Sequence, residues 1–482
     1  MYAVGFVVIA AGLATPGGES SSKELPVDNR VGDLRAAASG RSTPWTLDTI
    51  LGATNSFSHV SIAVDSTTGF IHISYHDAVN QDLMMASNVG VPGNCGPSNT
   101  WNCVTLRDAG EVGKYNSIAT YPLASDRVRF FVAFYDETLE ALSFVRGSNG
   151  PAGLVNLGVD WIDEGIPGLT DRTGMYTSVS FDQLGVPNIA YQNETYDSVV
   201  GVHRMYAVYV GDGSGNCGVG PVAGDWQCTD VDFSASYGDS SSTSLALDGS
   251  NSPVIAYYDQ AAGYPVVAYL IGSGGNCGTN LAWHCRTVSK ASTNTGKHVS
   301  LFVENSGHPH IAYQNMTDMK LEYATYVGSG GNCGFSSITM QFEWQCDVID
   351  DMDNPSSTRA VAIAADNFGY PIIAYQGGLD PGPAVIRVAR PVAALGGSAT
   401  GNCGPGDTWF CEGLHGNPYL VEADSVALAI DNQDGHHVVY SELDYYPYPA
   451  EYNLMFAHQA GDQVFGNGFE DGGTGSWSST TP

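Results

Sequence analysis

One tract recurs seven times along this chain, and a repeat of that kind constrains the fold more than any other feature. In SVSFDQLGVPNIAYQN (178–193), SLALDGSNSPVIAYYD (244–259) and SLFVENSGHPHIAYQN (300–315), a serine opens an apolar run. An acid and a turn follow, then a second apolar run that ends in tyrosine. The terminal aromatic is Tyr75, Phe134, Tyr191, Tyr257, Tyr313, Tyr375 and Tyr440 in successive copies. Acid, glycine and proline between the two runs suit a tight antiparallel turn. Each tract is followed by a third apolar stretch, such as LEYATYV (321–327), and by a tryptophan-bearing fourth. Four short strands per repeat, seven times over, predict an all-β, seven-bladed β-propeller of four-stranded antiparallel blades. Composition agrees: 59 Gly, 26 Tyr and 14% charged residues fit many short strands, and no stretch carries helical apolar periodicity.

The tryptophans fix the closure. Trp101, Trp161, Trp226, Trp283, Trp344 and Trp409 end the first six repeats, each followed at the same spacing by an aliphatic residue. The seventh repeat ends near His458 without one, and the missing copy stands upstream as Trp45 with Ile50. Residues 45–51 are therefore expected to complete the last blade, so that the propeller spans 45–459. Closing the ring removes the open sheet edges of a linear array.

The 10 cysteines fall into local pairs, the first of each in Gly-Asn-Cys-Gly and the second in Trp-x-Cys. Cys95 with Cys103, Cys217 with Cys228, Cys277 with Cys285, Cys333 with Cys346 and Cys403 with Cys411 read as disulfides within blades. Zinc would want histidine partners at fixed spacing, which are missing. The second and seventh repeats have no pair.

Residues 1–14 include an apolar run suited to a secretory signal peptide, although no Lys or Arg precedes it. Residues 15–44 read as a disordered Ser/Gly/Pro-rich linker, and 460–482 as a flexible C-terminal tail. The expected location is outside the cell or in another oxidising compartment, and the acidic self-repulsion favours a monomer. The formal net charge of −32 repels phosphate backbones and anionic membranes, which excludes nucleic acid as a natural partner. No apolar stretch is long enough to cross a bilayer comfortably.

In a propeller, residues just after the repeated tyrosine share a face with residues two before the repeated serine. The first set includes Asp77, Asp136 and Asp259; the second includes His59, Tyr115, Tyr176, Ser242 and His298. His76, Tyr135 and Tyr258 depart from the repeat beside the first set. The candidate ligand-binding residues are thus His59, His76, Asp77, Tyr115, Tyr135, Asp136, Tyr258 and Asp259. Oxygen ligands beside aromatic faces are what a sugar site requires, and the same oxygens could take calcium. Against this, the repeated tyrosine suits packing between blades, and the Asp or Asn after it suits capping of its own turn. His308, His310, His436 and His437 sit at second-strand starts, where packing is the plainer role.

Three functions remain open on the sequence. The first is an extracellular glycan-binding protein, the second a glycoside hydrolase or polysaccharide lyase, the third a surface scaffold for other proteins. The acids of a hydrolase abound without one pair standing out. Sialidase boxes (Ser-x-Asp-x-Gly-x-x-Trp) are missing, and arginines look few and scattered. No nucleophile elbow, zinc-protease helix or phosphate loop occurs.

The tract SLALDGSNSPVIAYYD resembles the repeats of secreted bacterial propeller-like proteins of S-L-A-L-D-x-x-G-x-P-x-I-S-Y-Y-D type, which implies the fold over most of 45–459 but no set activity. The tail VFGNGFEDGGTGSWS (464–478) resembles a C-terminal element of exported proteins from xanthomonad-type gammaproteobacteria, which implies a sorting role.

Overall fold

The computed structural model describes residues 44–460, except for 53–55, 66, 124–126, 164–170, 196–200, 219–223, 235–241, 289–294, 353–360, 379–383, 396–399, 415–419, 423–424 and 445–450. The expected signal peptide, linker and tail lie outside these residues but for Pro44 and Ala460. Seven antiparallel sheets form the blades of a β-propeller. Blade 1 runs outward through Phe57–Val64, Ile71–Asp77, Asp82–Asn88 and Asn102–Arg107. Blade 2 runs through Val112–Pro122, Val128–Asp136, Ala141–Asn149 and Val155–Asp163. Blade 3 uses Asp171–Phe181, Pro187–Thr195, Gly201–Tyr209 and Trp226–Ser234. Blades 4 to 6 start at Thr243–Leu247, Thr295–Val303 and Val361–Ala365. Blade 5 departs from four strands, because Cys333–Ser336 folds back along Gln341–Asp351 as a fifth.

Closure occurs as the tryptophan count requires. Thr46–Leu51 pairs antiparallel with Glu451–Gln459, Thr46 opposite His458, and becomes the outermost strand of blade 7. The inner strand of that blade is broken into Leu420–Glu422 and Val426–Ile430, both against His436–Asp444. The disulfide hairpin of blade 1 then grips the closing strand, the Gly96 N–H donating to the Ile50 carbonyl at 3.0 Å.

The apolar core is divided among the gaps between blades. Each of the seven gaps holds its own cluster of buried side chains contributed by both neighbours. Alternation along a strand sends successive side chains to opposite faces, and both faces of a blade are covered. Second strands such as Ile71–Asp77 and Pro309–Asn315 are therefore buried along their whole length, polar residues included. Trp101, Trp226, Trp283, Trp344 and Trp409 are buried, and each packs back onto the preceding blade. Trp101, for instance, meets Phe456 of blade 7 edge to face at 5.0 Å. The repeated aromatics are buried in these wedges as well. Tyr191, Tyr257 and Tyr375 donate to Asp163 (2.6 Å), Asp232 (2.6 Å) and Asp350 (2.5 Å) on the outer strand of the blade before.

The repeated serine stitches inner strands together. Ser61, Ser117, Ser178, Ser244 and Ser300 accept the N–H of Ile118, Val179, Leu245, Leu301 and Ile363, always in the next blade, at 3.0–3.1 Å. Blades 6 and 7 carry Ala362 and Ala427 instead. The last seam is made by Ser425, which accepts from Val60 at 3.1 Å.

All five expected disulfides are present. Cys95 is bonded to Cys103 in blade 1, Cys217 to Cys228 in blade 3, and Cys277 to Cys285 in blade 4. Cys333 is bonded to Cys346 in blade 5, and Cys403 to Cys411 in blade 6. Their Cα–Cα separations are 5.9–6.0 Å. The asparagine before each first cysteine has its own task. Asn94 accepts the Cys103 N–H at 2.7 Å and donates to its carbonyl at 3.0 Å. Asn216, Asn276, Asn332 and Asn402 repeat the pair of bonds with Cys228, Cys285, Cys346 and Cys411 in turn. The glycine ahead of it is sterically required, since a Cβ on Gly93 would lie 1.7 Å from the Trp101 carbonyl oxygen.

Candidate functional site: an aromatic arc at the channel mouth

In blades 1, 2, 3 and 5 the inner strand carries a bulge in its pairing with the second strand, and the residue at the bulge is the one two before the repeated serine. His59, Tyr115, Tyr176, Ser242 and His298 all take positive φ, between 49° and 53°. Pairing with the second strand slips there, between Ser58 and Ser61 and between Lys114 and Ser117. Left-handed backbone costs a non-glycine residue roughly 1–2 kcal/mol, and bulky rings rarely adopt it. The glycine that precedes it in blades 2 and 3 allows the approach. A Cβ on Gly113 (φ 95°) would meet the Leu83 Cα at 2.9 Å, and one on Gly174 (φ 105°) the Leu142 Cα at 2.6 Å.

The strained backbone is held by buried side chains. Asn116 donates to the His59 carbonyl at 2.5 Å and to that of Gly113 at 2.9 Å, while its own oxygen accepts from Ser74 at 2.5 Å. Thr177 donates to the carbonyls of Tyr115 and Ala133.

The bulge brings rings of different blades into contact, which is feasible only near the axis, where blades converge. His59 and Tyr115 lie 4.5 Å apart between centroids, and Tyr115 and Tyr176 4.4 Å. His76 stands 6.2 Å from His59, and Tyr135 6.3 Å from Tyr115. Four of the residues singled out from sequence, His59, His76, Tyr115 and Tyr135, therefore form one cluster. Tyr176 extends it across blade 3, and a side-chain hydrogen bond joins it to Tyr115.

Beside the arc, Lys114 is clamped between Glu111 (2.6 Å) and Glu137. These three were not among the candidates. The Gly-x-Tyr/His-x-Ser spacing at 113–117, 174–178 and 296–300 was the available signal for the bulge. Burial lowers the His59 pKa to about 3, helped by His76 and Lys114. Burial likewise lowers His76, with Lys114 adding to the effect. Both imidazoles are uncharged at neutral pH, so each offers one donor and one acceptor. His76 sets Nδ1 against Ser58 Oγ at 3.2 Å, and its buried Nε2 has no hydrogen-bond partner among the described residues. Burial also raises the phenols of Tyr115 and Tyr135, which stay protonated as donors.

The carboxylates sit differently. Asp77 accepts the N–H groups of Val79 (3.0 Å) and Asn80 (3.2 Å), Asp136 that of Leu139 (2.9 Å), and Asp259 those of Ala261 (3.0 Å) and Ala262 (3.4 Å). Each caps the turn between second and third strands. Tyr258 is buried, and its carbonyl accepts from Arg204 at 2.7 Å. No group of three or more metal-ligating side chains forms among the described residues. The paired histidines are engaged locally: His310 contacts Tyr323 (2.5 Å) and Glu304 (2.8 Å), and His437 contacts Asp431 (2.9 Å). No helix among the described residues is long and apolar enough to cross a membrane.

No family model matches the chain, and no curated protein matches it by sequence. Among solved structures, it is similar to a fucose-specific lectin from Aleuria aurantia at 12% identity and TM-score 0.41, covering 75% of this chain and 98% of that one. AofleA from Arthrobotrys oligospora follows at 12% identity and TM-score 0.39, covering 74% and 90%. A polysaccharide lyase, Uly1, is similar at 11% identity and TM-score 0.40, covering 83% and 89%. Likeness at this level says nothing about ligand or activity in this chain.

Proposed function

We propose that this chain is an exported propeller that binds a glycan outside the cell through the channel mouth of blades 1 to 3. The observation that carries the reading is the meeting of His59, Tyr115 and Tyr176, one from each blade, on backbone held at positive φ. Backbone strain that the surroundings enforce is a marker of function. Aromatic faces take the C–H surface of a sugar ring, and uncharged imidazoles and phenols exchange hydrogen bonds with its hydroxyls. Glu111 and Glu137 add acceptors for paired hydroxyls. Five disulfides fit an oxidising compartment.

A glycan array probed with the wild type and with Tyr115→Ala tests this, with and without added calcium. Saturable binding that falls by about tenfold or more in the variant, at unchanged melting temperature, is the expected result. A silent array in both conditions overturns it.

One observation favours a second reading, a polysaccharide lyase. In the tautomer whose Nδ1–H donates to Ser58 Oγ, the unpartnered Nε2 of His76 is a proton acceptor beside a second uncharged imidazole, and Tyr135 and Tyr115 are phenolic donors nearby. Growth of ultraviolet absorbance from unsaturated sugar ends on incubation with acidic polysaccharides supports turnover. Binding without that signal supports the module.

A further inference from the structure

The opposite face of the ring holds a cleft of about 390 Å³ between blades 2 and 3, lined by Arg129, Phe131, Arg146, Phe181 and Tyr209 among others. Its walls come from the turns joining first to second and third to fourth strands, away from the aromatic arc. Arg146 stands on the third strand of blade 2, its guanidinium 5.8 Å from the centre of the Phe144 ring and 5.9 Å from that of Tyr209 in blade 3. Gly158 lies directly opposite it on the outer strand, where a Cβ would come within 3.3 Å of the Arg146 Nε. The glycine leaves the long side chain its room. Arg129 lies over Tyr121 at 5.9 Å and reaches only the Gly185 carbonyl, at 3.4 Å. Arg127 adds a third positive charge at the same edge, donating to Ser148 and Gly153.

Neither Arg129 nor Arg146 has a carboxylate partner among the described residues, in a chain with 50 Asp plus Glu against 18 Lys plus Arg. Five other cations do have carboxylate partners: Lys114 with Glu111, Arg286 with Glu343, Lys320 with Asp351, Arg387 with Asp350 at 2.7 Å, and Arg390 with Glu412. The buried Arg204 donates to backbone carbonyls. In so acidic a chain, two guanidiniums kept apart from carboxylates and set on one cleft point to an anion from outside. Blade 2, like blade 7, lacks the disulfide hairpin that the other five blades carry over this face. Its third and fourth strands are joined by the short turn 150–154.

We propose that this cleft is a second binding site, for a saccharide that bears a carboxylate or a sulfate ester. Planar guanidiniums bind such oxyanions through paired N–H donors, and Phe181 and Tyr209 offer apolar faces to the sugar ring. The cleft volume falls in the range of small-ligand sites. The site is independent of the aromatic mouth. Arginines that look scattered along the chain are set by folding on one cleft.

Calorimetric titration of the full chain with trigalacturonate, with a sulfated chondroitin disaccharide and with neutral cellotriose tests the proposal. Binding of at least one acidic probe is expected, weakened by salt. It should fall by about tenfold or more when Arg129→Gln and Arg146→Gln are combined, fall less in Arg146→Lys, and persist in Tyr115→Ala. Trigalacturonate carries carboxylates alone and the chondroitin probe both carboxylate and sulfate. Binding of trigalacturonate thus shows that a carboxylate suffices, and binding of the chondroitin probe alone points to the sulfate. Failure of both to bind overturns the proposal, as does an affinity that survives the double substitution or is lost in Tyr115→Ala. Both arginines are exposed, so an unchanged melting temperature verifies that the variants fold.

Discussion

Tyr115 and Tyr176 belong to different blades, yet their ring centroids lie 4.4 Å apart, and each residue holds φ at 51°. The two facts are linked. Each bulge carries its ring to the axis, where the ring of the next blade arrives by the same distortion.

Strain at Tyr115 is measurable through a pair of variants. Tyr115→Ala and Tyr115→Gly both remove the ring, but only glycine sheds the cost of left-handed backbone. The glycine variant is expected to be more stable than the alanine variant by about 1 kcal/mol in urea unfolding. Equal midpoints would show that the backbone is unstrained.

Ring closure rests on the N-terminal strand. Trp45 packs in the wedge between blades 6 and 7 and donates to Glu412 at 3.0 Å. Trp45→Ala is expected to cost about 2–3 kcal/mol, as removal of a large, partly buried ring does. Deleting residues 1–51 uncovers the edge of Glu451–Gln459, and light scattering should then report self-association. A monomeric truncated protein with wild-type melting would contradict the closure.

The disulfide between Cys333 and Cys346 in blade 5 closes the longest loop of the five, at a sequence separation of 13. Replacing both by alanine is expected to lower stability by about 2–3 kcal/mol in the chain-entropy model. Calorimetry should show this loss to be larger than that from replacing Cys95 and Cys103, where the separation is 8.

Acid should destabilise the fold through its buried histidines. Burial lowers His72 to about 4 and His436 to about 4, and His59 to about 3. A histidine whose folded pKa lies below its ordinary value of 6.5 is protonated more readily in the unfolded chain. Its contribution is complete above pH 6.5 and is lost as pH falls from there towards 4. Melting temperature should decline across that window. In His72→Gln, which can keep a hydrogen bond to Ser87 (2.8 Å from His72 Nδ1), the decline should be shallower. Parallel profiles would remove His72 as a cause.

Much of the ring was legible because its joints are local and repeated. The Trp copies revealed the blade count and the closing strand, since every outer strand needs the same ring against the blade before it. At the mouth, sequence reasoning found His59, His76, Tyr115 and Tyr135 as residues of one face. It missed Lys114, Glu111 and Glu137, which carry no repeated signal. It placed Asp77, Asp136 and Asp259 on the right turns, and the structure shows those carboxylates accepting turn N–H groups.

Short-range chemistry was enough to specify the propeller, its seven blades and its closing strand, because alternation and turn residues act over a few positions. The same holds for the disulfides: Cys228, Cys285 and Cys411 each find their partner within one hairpin, as do Cys103 and Cys346. Packing of whole blades was needed to choose which side chains meet at the axis and in the cleft between blades 2 and 3. Those meetings depend on where a bulge turns a ring and how a glycine admits an arginine. Residues as far apart as His59 and Tyr176, or Arg146 and Tyr209, are brought together only by the packing of neighbouring blades.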